Sequence, residues 1–528
     1  MSTPLNVVVV GSGVAGMAFA HRLSTLMRGK EVMIHLLSKA APQASNSNAA
    51  QGGVAAVIHP SDSWQRHRDD TLCVGAGRCI PEVVERVVKE GPACIEELLA
   101  KGARFDLDGT GHLAAAREGG HSAARVVHRG DRTGAELVRV LQEQVKADPR
   151  IRISETRTAL DLITEDGPQG RRCTGLRTLD VRTGELIAHH AHATVLATGG
   201  SGQVYRHTTN PAGATGAGVA MAIRARVPLR DMAFVQFHPT ALYAPDQEGT
   251  FLISEAVRGA GGVLLRPDGT RLMEGLHPMA DLAPRNVVAR AIHAVMEQQQ
   301  VDHVLLDSTG IGRARFAREF PMILDHCWSI GLDPLHEPIP VMPAAHYLCG
   351  GIATDADGRT VLPGLFALGE CAGSGLHGAD RLASNSLLEA LVIPRHAAAI
   401  VADLAPDVEL PDDAELGSMP RTEGSPQVAE ALQRLRNCMT DRVGIVRRNA
   451  GLLAASMEMK TLLKQTERQW TSGERSTTLI ELRDMLAVST AICDQAMRET
   501  ANAGAHYNAD LEPGQERCAF PTDALVFG

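Results

Sequence analysis

Four consecutive valines, Val7–Val10, run directly into Gly11-Ser12-Gly13-Val14-Ala15-Gly16. A helix-spaced set, Met17, Ala20, Leu23 and Leu26, follows before a second apolar stretch at Glu31–Leu37. Strand, glycine turn, helix, strand is the opening of a parallel α/β sheet. Gly11 permits the tight turn, Gly13 lets backbone N–H groups approach a pyrophosphate, and Gly16 lets the helix pack close to the strand. The helix N-terminus then turns its partial positive charge to the anion, with Ser12, Val14 and Ala15 beside it. A glycine turn with no ligand is the competing reading; the strand before it and the helix after it favour a dinucleotide. A standard NAD site would add an acidic residue about 20 positions on. Here the second strand ends Leu37-Ser38-Lys39, where Ser38 can bond a ribose hydroxyl and Lys39 can meet a phosphate. That disfavours NAD.

With 528 residues the chain exceeds one ordinary core, and two or three domains are expected. Buried strands at Ala193–Ala197 and Gly364–Ala367 both end in small, glycine-rich turns, as one sheet interrupted by an insertion would. The expected fold class is α/β: a Rossmann-like domain formed by residues 1–231 and 348–410, interrupted by an α+β capping domain at 232–347. Residues 405–425 turn to Pro, Asp and Glu and read as a linker. Ser425-Pro426 then reads as an N-cap with Pro at the first helical position, opening a C-terminal helical domain over 417–528. Val446, Leu453 and Met457 share one helical face there, and Leu479, Leu482, Leu486 and Cys493 another.

Composition removes several classes. A formal charge of -9 opposes a nucleic-acid surface, which needs a basic field. The cysteines form no C-x-x-C pair and no Cys/His pattern at zinc spacing, so reduced thiols and no metal are expected. No stretch reaches the ~20 apolar residues of a membrane helix, and no basic-then-apolar leader precedes the first strand. A cytoplasmic protein without a membrane partner is the expectation.

Six motifs occur in order: Ala50-Gln51-Gly52-Gly53, Gln236-Phe237-His238-Pro239-Thr240, Ser254-Glu255-Ala256-Val257-Arg258-Gly259, Ala283-Pro284-Arg285, Ala345-His346-Tyr347 and His377-Gly378-Ala379-x-Arg381. The chain thereby resembles the fumarate reductase/succinate dehydrogenase flavoprotein family over nearly its whole length. The resemblance implies an FAD domain with a capping domain over it, and substrate between them at the flavin. It further implies that Asn46, Ser47, Asn48, Ala49, Ala50, Gln51, Gly52, Gly53, Glu370, Ser386 and Leu387 contact FAD. Members that hold FAD covalently carry a His where this chain has Asn46, so FAD is expected to be non-covalent.

Glu118, in Arg117-Glu118-Gly119-Gly120-His121-Ser122, separates the branches. The matching Glu of the branch that oxidises L-aspartate lies near the substrate amino group, and the dicarboxylate enzymes have an apolar residue there. The physics agrees, because succinate and aspartate differ chiefly by one ammonium and a carboxylate distinguishes them by charge. The implied reaction is oxidation of L-aspartate to iminoaspartate, with oxygen or fumarate as acceptor. The family's role in NAD synthesis implies a hand-off to quinolinate synthase. The alternative is a fumarate reductase or succinate dehydrogenase flavoprotein subunit. A non-catalytic flavin-binding module would show scattered loss of anion-site residues, yet His238, Arg285, His346 and Arg381 are all present.

By the same resemblance His238 and Ser254 hold one substrate carboxylate, His346 and Arg381 the other, and Gln236 joins the substrate site. Arg285 is implied in proton transfer through Glu255 and Arg258. Ala217, Ala233 and Ala503 depart from the usual Asp, Glu and Arg, and Ser254 replaces Thr but keeps the hydroxyl. The three alanines predict a weaker hold on FAD, at ~1 kcal/mol for each lost hydrogen bond.

Overall fold

The computed structural model describes residues 4–167, 170–247, 249–404, 410–419 and 424–512. The valine run becomes the strand Leu5–Val10, central in a five-stranded parallel sheet. The order is Leu365–Ala367, Ala193–Leu196, Leu5–Val10, Val32–Leu37, Ile151–Ser154. Both faces of such a sheet are covered, which is why its strands read as continuous apolar runs rather than as alternation. The helix Val14–Leu26 and the helix Asn385–Ala402 pack on one face. An antiparallel meander, Arg157–Gly167, Gly170–Asp180 and Glu185–His190, lies against the other.

The turn after the first strand requires glycine. Gly11 has φ of +114°, and a Cβ there would fall 2.1 Å from the Ala197 carbonyl oxygen. A Cβ on Gly16 would fall 2.0 Å from the Gly11 carbonyl oxygen, so helix and strand meet only because both side chains are missing. Gly11→Ala is therefore expected to yield protein without bound flavin; purified variant with a full flavin complement by absorbance would refute this.

Strands Val235–Leu242, Ile339–Leu348, Val304–Asp307 and Val263–Leu265 form a separate four-stranded antiparallel sheet. Its core includes Ile253, Val257, Val288, Ile292, Leu306, Phe316 and Val341. The two long strands pass between cores: Val235, Phe237, Ala345 and Leu348 pack with the FAD-domain side, while Leu242, Ile339 and Val341 pack in the cap. They carry the site between them.

Three helices, Pro426–Arg442, Asn449–Thr471 and Thr477–Arg498, make the C-terminal bundle. Ser425 caps the first through its hydroxyl to the Val428 N–H, as its sequence foretells. Leu479, Leu482, Leu486 and Cys493 are fully buried. Leu453 and Met457, expected on a buried face, are 59% and 64% exposed, and Leu452, Ala455, Met459 and Leu462 face inward instead. Both stripes have helical spacing, and only the docking partner selects between them. The expected linker also holds a strand: Ala414–Ser418 extends the meander along Glu185–His190, while 405–409 and 420–423 lie outside the described residues. Among the described residues eight cysteines are free. Among the described residues no helix is long and apolar enough to cross a membrane.

Candidate active site

A cavity of about 970 Å³ runs from the glycine turn to the cap. Gly11, Ser12, Gly13, Val14, Ala15, Ser38 and Lys39 line one end. Asn46, Ser47, Ala49, Ala50, Gln51, Gly52, Gly53, Glu370, Ser386 and Leu387 line its middle. Glu118, His238, Ser254, Glu255, Arg285, His346 and Arg381 line the far end. Of the expected residues, Gly16, Asn48, Gln236 and Arg258 stand outside the lining. Gly16 packs behind Gly11, the Asn48 backbone N–H turns to the Ser45 hydroxyl, and Arg258 backs Glu255.

The chain fits FAD at this cavity. Gly13 caps the helix Val14–Leu26 without a side-chain bond; the Val14 N–H goes to the Ser47 hydroxyl at 3.1 Å, and the helix N-terminus still turns its partial positive charge to the cavity. Helix Asn385–Ala402 also opens with no side-chain cap, and its first-turn residues Ser386 and Leu387 line the wall. Burial pushes the Glu370 carboxyl up to about 7, with Asn46 Nδ2 at 3.4 Å and the Leu348 N–H at 3.1 Å as its donors. Two expected contacts are spoken for within the protein. Lys39 Nζ pairs with Glu481 at 3.1 Å and Thr215 at 3.2 Å. Gln51 spans to the cap, donating to the Leu252 carbonyl and accepting from the Ser254 N–H. Ala217 lines the cavity, whereas Ala233 and Ala503 do not. The Ala233 carbonyl instead accepts from Arg447 of the C-terminal bundle, so of the three alanines Ala217 is the one in the cavity wall.

Three arginines converge on the far end. Arg285, first residue of the helix Arg285–Gln299, donates from Nε to Glu255 at 2.7 Å and from Nη1 to Gln236 Oε1 at 2.9 Å. Arg258 donates to the other Glu255 oxygen at 3.1 Å, and both guanidiniums hold the buried Glu255 carboxyl below its usual value against burial. Arg381 donates to Gln236 Oε1 at 3.1 Å and to Ser386 at 2.7 Å, and lies 4.4 Å over the Tyr347 ring. Ser254 accepts from the Ala256 N–H, capping the short helix that carries Glu255.

His238 and His346 face each other with ring centroids 5.1 Å apart. The ladder slips between His238 and Ala241, at Pro239, and such a bulge re-aims a side chain. Burial first, then neighbouring guanidiniums, lowers both imidazoles well below their ordinary value. His238 Nδ1 accepts from the Thr240 N–H, and His346 Nδ1 bonds the Thr209 hydroxyl. The neutral His238 ring thus keeps Nε2–H as a donor for an anion, and His346 offers the same donor in the tautomer whose Nδ1 accepts from Thr209.

Glu118 lines the cavity beside these groups, and no guanidinium bonds it, in contrast to Glu255. Its partner is the Ser384 hydroxyl at 2.6 Å, and burial, followed by the Glu255 charge, raises its carboxyl. A raised folded-state value means that ionisation costs stability: the contribution is full at low pH and is lost as pH rises through that value. Affinity for an ammonium-bearing ligand moves the other way, because the carboxylate is charged only above it. Ligand-free protein should therefore lose Tm with rising pH more steeply than Glu118→Gln, while aspartate binds it more tightly; parallel Tm curves would refute the assignment.

Ser384 escaped sequence reading. It takes φ of +61° and donates to Glu118 while accepting from the Gly53 N–H at 3.2 Å, joining the Gln51–Gly53 turn to the loop that carries Glu118. Only its place beside Asn385-Ser386 hints at this. Arg125, fully buried, pairs with Asp62 and Asp70 and bonds His121, bracing the loop that carries Glu118. Its partners lie 63 and 55 positions away, too far for any local pattern. Apart from the site, His35, His189 and Asp413 approach one another closely enough for metal ligation. Both His189 ring nitrogens are already bonded, to Thr178 at 3.0 Å and Asp413 at 2.7 Å, and no metal is inferred.

A dinucleotide cradle ending in paired guanidiniums and imidazoles defines an FAD-dependent oxidoreductase acting on a small anionic substrate. The FAD binding domain family model matches residues 6–387, and that of the fumarate reductase flavoprotein C-terminus matches residues 432–518. The chain is 42% identical to L-aspartate oxidase 1 of Ralstonia nicotianae, over 96% of this chain and 95% of that protein. It is 41% identical to the L-aspartate oxidase of Neisseria meningitidis, over 97% and 100%. A solved quinol-fumarate reductase with menaquinol molecules superposes with a TM-score of 0.87 at 31% identity, covering 96% of this chain and 93% of that one. The chain belongs to the L-aspartate oxidases, within the FAD-binding flavoproteins related to fumarate reductase.

Proposed function

We propose that the protein oxidises L-aspartate at Cα to iminoaspartate. The observation that carries this reading is Glu118, a buried carboxylate that lines the cavity with His238, Arg285, His346 and Arg381 and is bonded by the Ser384 hydroxyl rather than by a guanidinium. Bound FAD supplies the redox chemistry, taking a hydride and passing electrons to oxygen, with hydrogen peroxide as product, or to fumarate. His238 and Ser254 bind one carboxylate, and His346 and Arg381 bind the other. Arg381 is suited to two parallel hydrogen bonds with a carboxylate. Holding both ends fixes Cα in a near-attack geometry, and Glu118 selects the ammonium. Arg285 takes part in moving the proton that leaves nitrogen, with Glu255 bonded to it at 2.7 Å and Arg258 behind. Arg285 contributes by stabilising charge and by handing a proton along its hydrogen bond to Glu255.

A cytoplasmic location and a hand-off of unstable iminoaspartate to quinolinate synthase belong to the same proposal. Succinate is the discriminating alternative substrate, because fumarate reductases share the fold. Anaerobic titration of the holoprotein should bleach the flavin absorbance with L-aspartate, whereas succinate should perturb the spectrum on binding and leave the flavin oxidised. The reverse pattern would replace this reading with that of a fumarate reductase or succinate dehydrogenase flavoprotein subunit.

A further inference from the structure

We propose that Asp380 is a positioning residue: it locks the Gln236 carboxamide so that one oxygen holds the Arg285 and Arg381 guanidiniums at their working separation. Gln236 Oε1 accepts from Arg285 Nη1 at 2.9 Å and from Arg381 Nη2 at 3.1 Å. Gln236 Nε2 donates to Asp380 Oδ1 at 2.6 Å and to the Arg381 carbonyl at 2.8 Å. A carboxamide offers two donor hydrogens and two acceptor lone pairs, and all four are used. Gln236 therefore has nothing left to offer a substrate. It acts on one through the two arginines.

The orientation of this amide is what matters. Two guanidiniums repel, and the Arg285 charge is among the causes that lower Arg381. One carbonyl oxygen between them is attractive to both, whereas the flipped amide would turn N–H donors on N–H donors. Asp380 forbids the flip, because an ionised carboxylate accepts only and would then face a carbonyl oxygen. Its Oδ1 also accepts from the Arg381 N–H at 3.1 Å, tying the clamp to the backbone of the residue it steers. Asp380 and Gln236 are both buried and neither lines the cavity, so neither touches a ligand there.

This inference rests on the reading of the far end as a dicarboxylate site. It is tested on the holoenzyme by steady-state kinetics with aspartate and by the dissociation constant of succinate, read from the flavin spectrum. Asp380→Leu leaves Gln236 Nε2 with a single acceptor and should raise KM and the succinate constant by roughly tenfold, with a smaller change in kcat. Asp380→Asn keeps an oxygen acceptor and should stay within about threefold of the parent on the same grounds. Gln236→Glu alone sets two carboxylates against each other, and combining it with Asp380→Asn exchanges donor for acceptor and should recover succinate binding.

Unchanged constants in Asp380→Leu overturn the proposal. So does equal impairment in Asp380→Asn, which would assign the effect to charge. If Asp380→Leu loses flavin or Tm, the exchange pair decides, and a double variant no better than Gln236→Glu alone is likewise fatal. A parent enzyme that binds succinate without bleaching in aspartate defeats the proposed reaction but leaves these comparisons valid.

Discussion

Arg285→Leu is expected to lower kcat for aspartate on the order of a thousandfold, the scale seen when a preorganised charge-stabilising donor is lost, with FAD still bound. The guanidinium bonds Glu255 and Gln236 at once, so its removal deletes the positive charge on one Glu255 oxygen and frees one side of the clamp. Flavin should stay because the bonds of Arg285 go to Glu255 and Gln236 and not to the glycine turn. Arg285→Lys should fall between, since an ammonium keeps the charge but cannot make the two divergent bonds. The measurements are kcat and the ratio of flavin to protein absorbance. Activity within tenfold of the parent would remove Arg285 from the reaction.

Arg381→Leu should show its effect in binding. Losing a charge-assisted pair of hydrogen bonds to a carboxylate costs about 3 kcal/mol, on the order of a hundredfold in KM. The change should appear equally in the dissociation constant of succinate, which carries both carboxylates and no ammonium. Glu118→Gln should separate the two ligands, weakening aspartate while sparing succinate, because it touches only the recognition of the amino group. An Arg381→Leu enzyme with KM within fivefold of the parent would show that the imidazoles of His238 and His346 suffice as anchors.

The parts of this protein legible in its residues are those set by local geometry. The turn at Gly11 is one, since its positive φ and lack of a Cβ are forced by a strand that must hand over to a helix. The cap at Ser425 and the buried stripe through Leu479, Leu482, Leu486 and Cys493 are others, each complete within a few turns of chain. The residues proposed to bind the two carboxylates also stand in ordered motifs.

Tertiary structure alone decided how those residues are joined. Gln236 reads as a substrate ligand by its motif, yet its four bonds go to Arg285, Asp380 and Arg381. Glu118 depends on Ser384, 266 residues away, and the exposed Leu453 stripe is as helical as the buried one. Hydrogen-bond partners chosen across such distances leave no periodic trace, because each is selected by the burial that folding imposes and by the requirement that a buried polar atom be paired. Sequence specified which chemical groups the chain owns; closure of the cap and bundle over the sheet determined which of them share a bond.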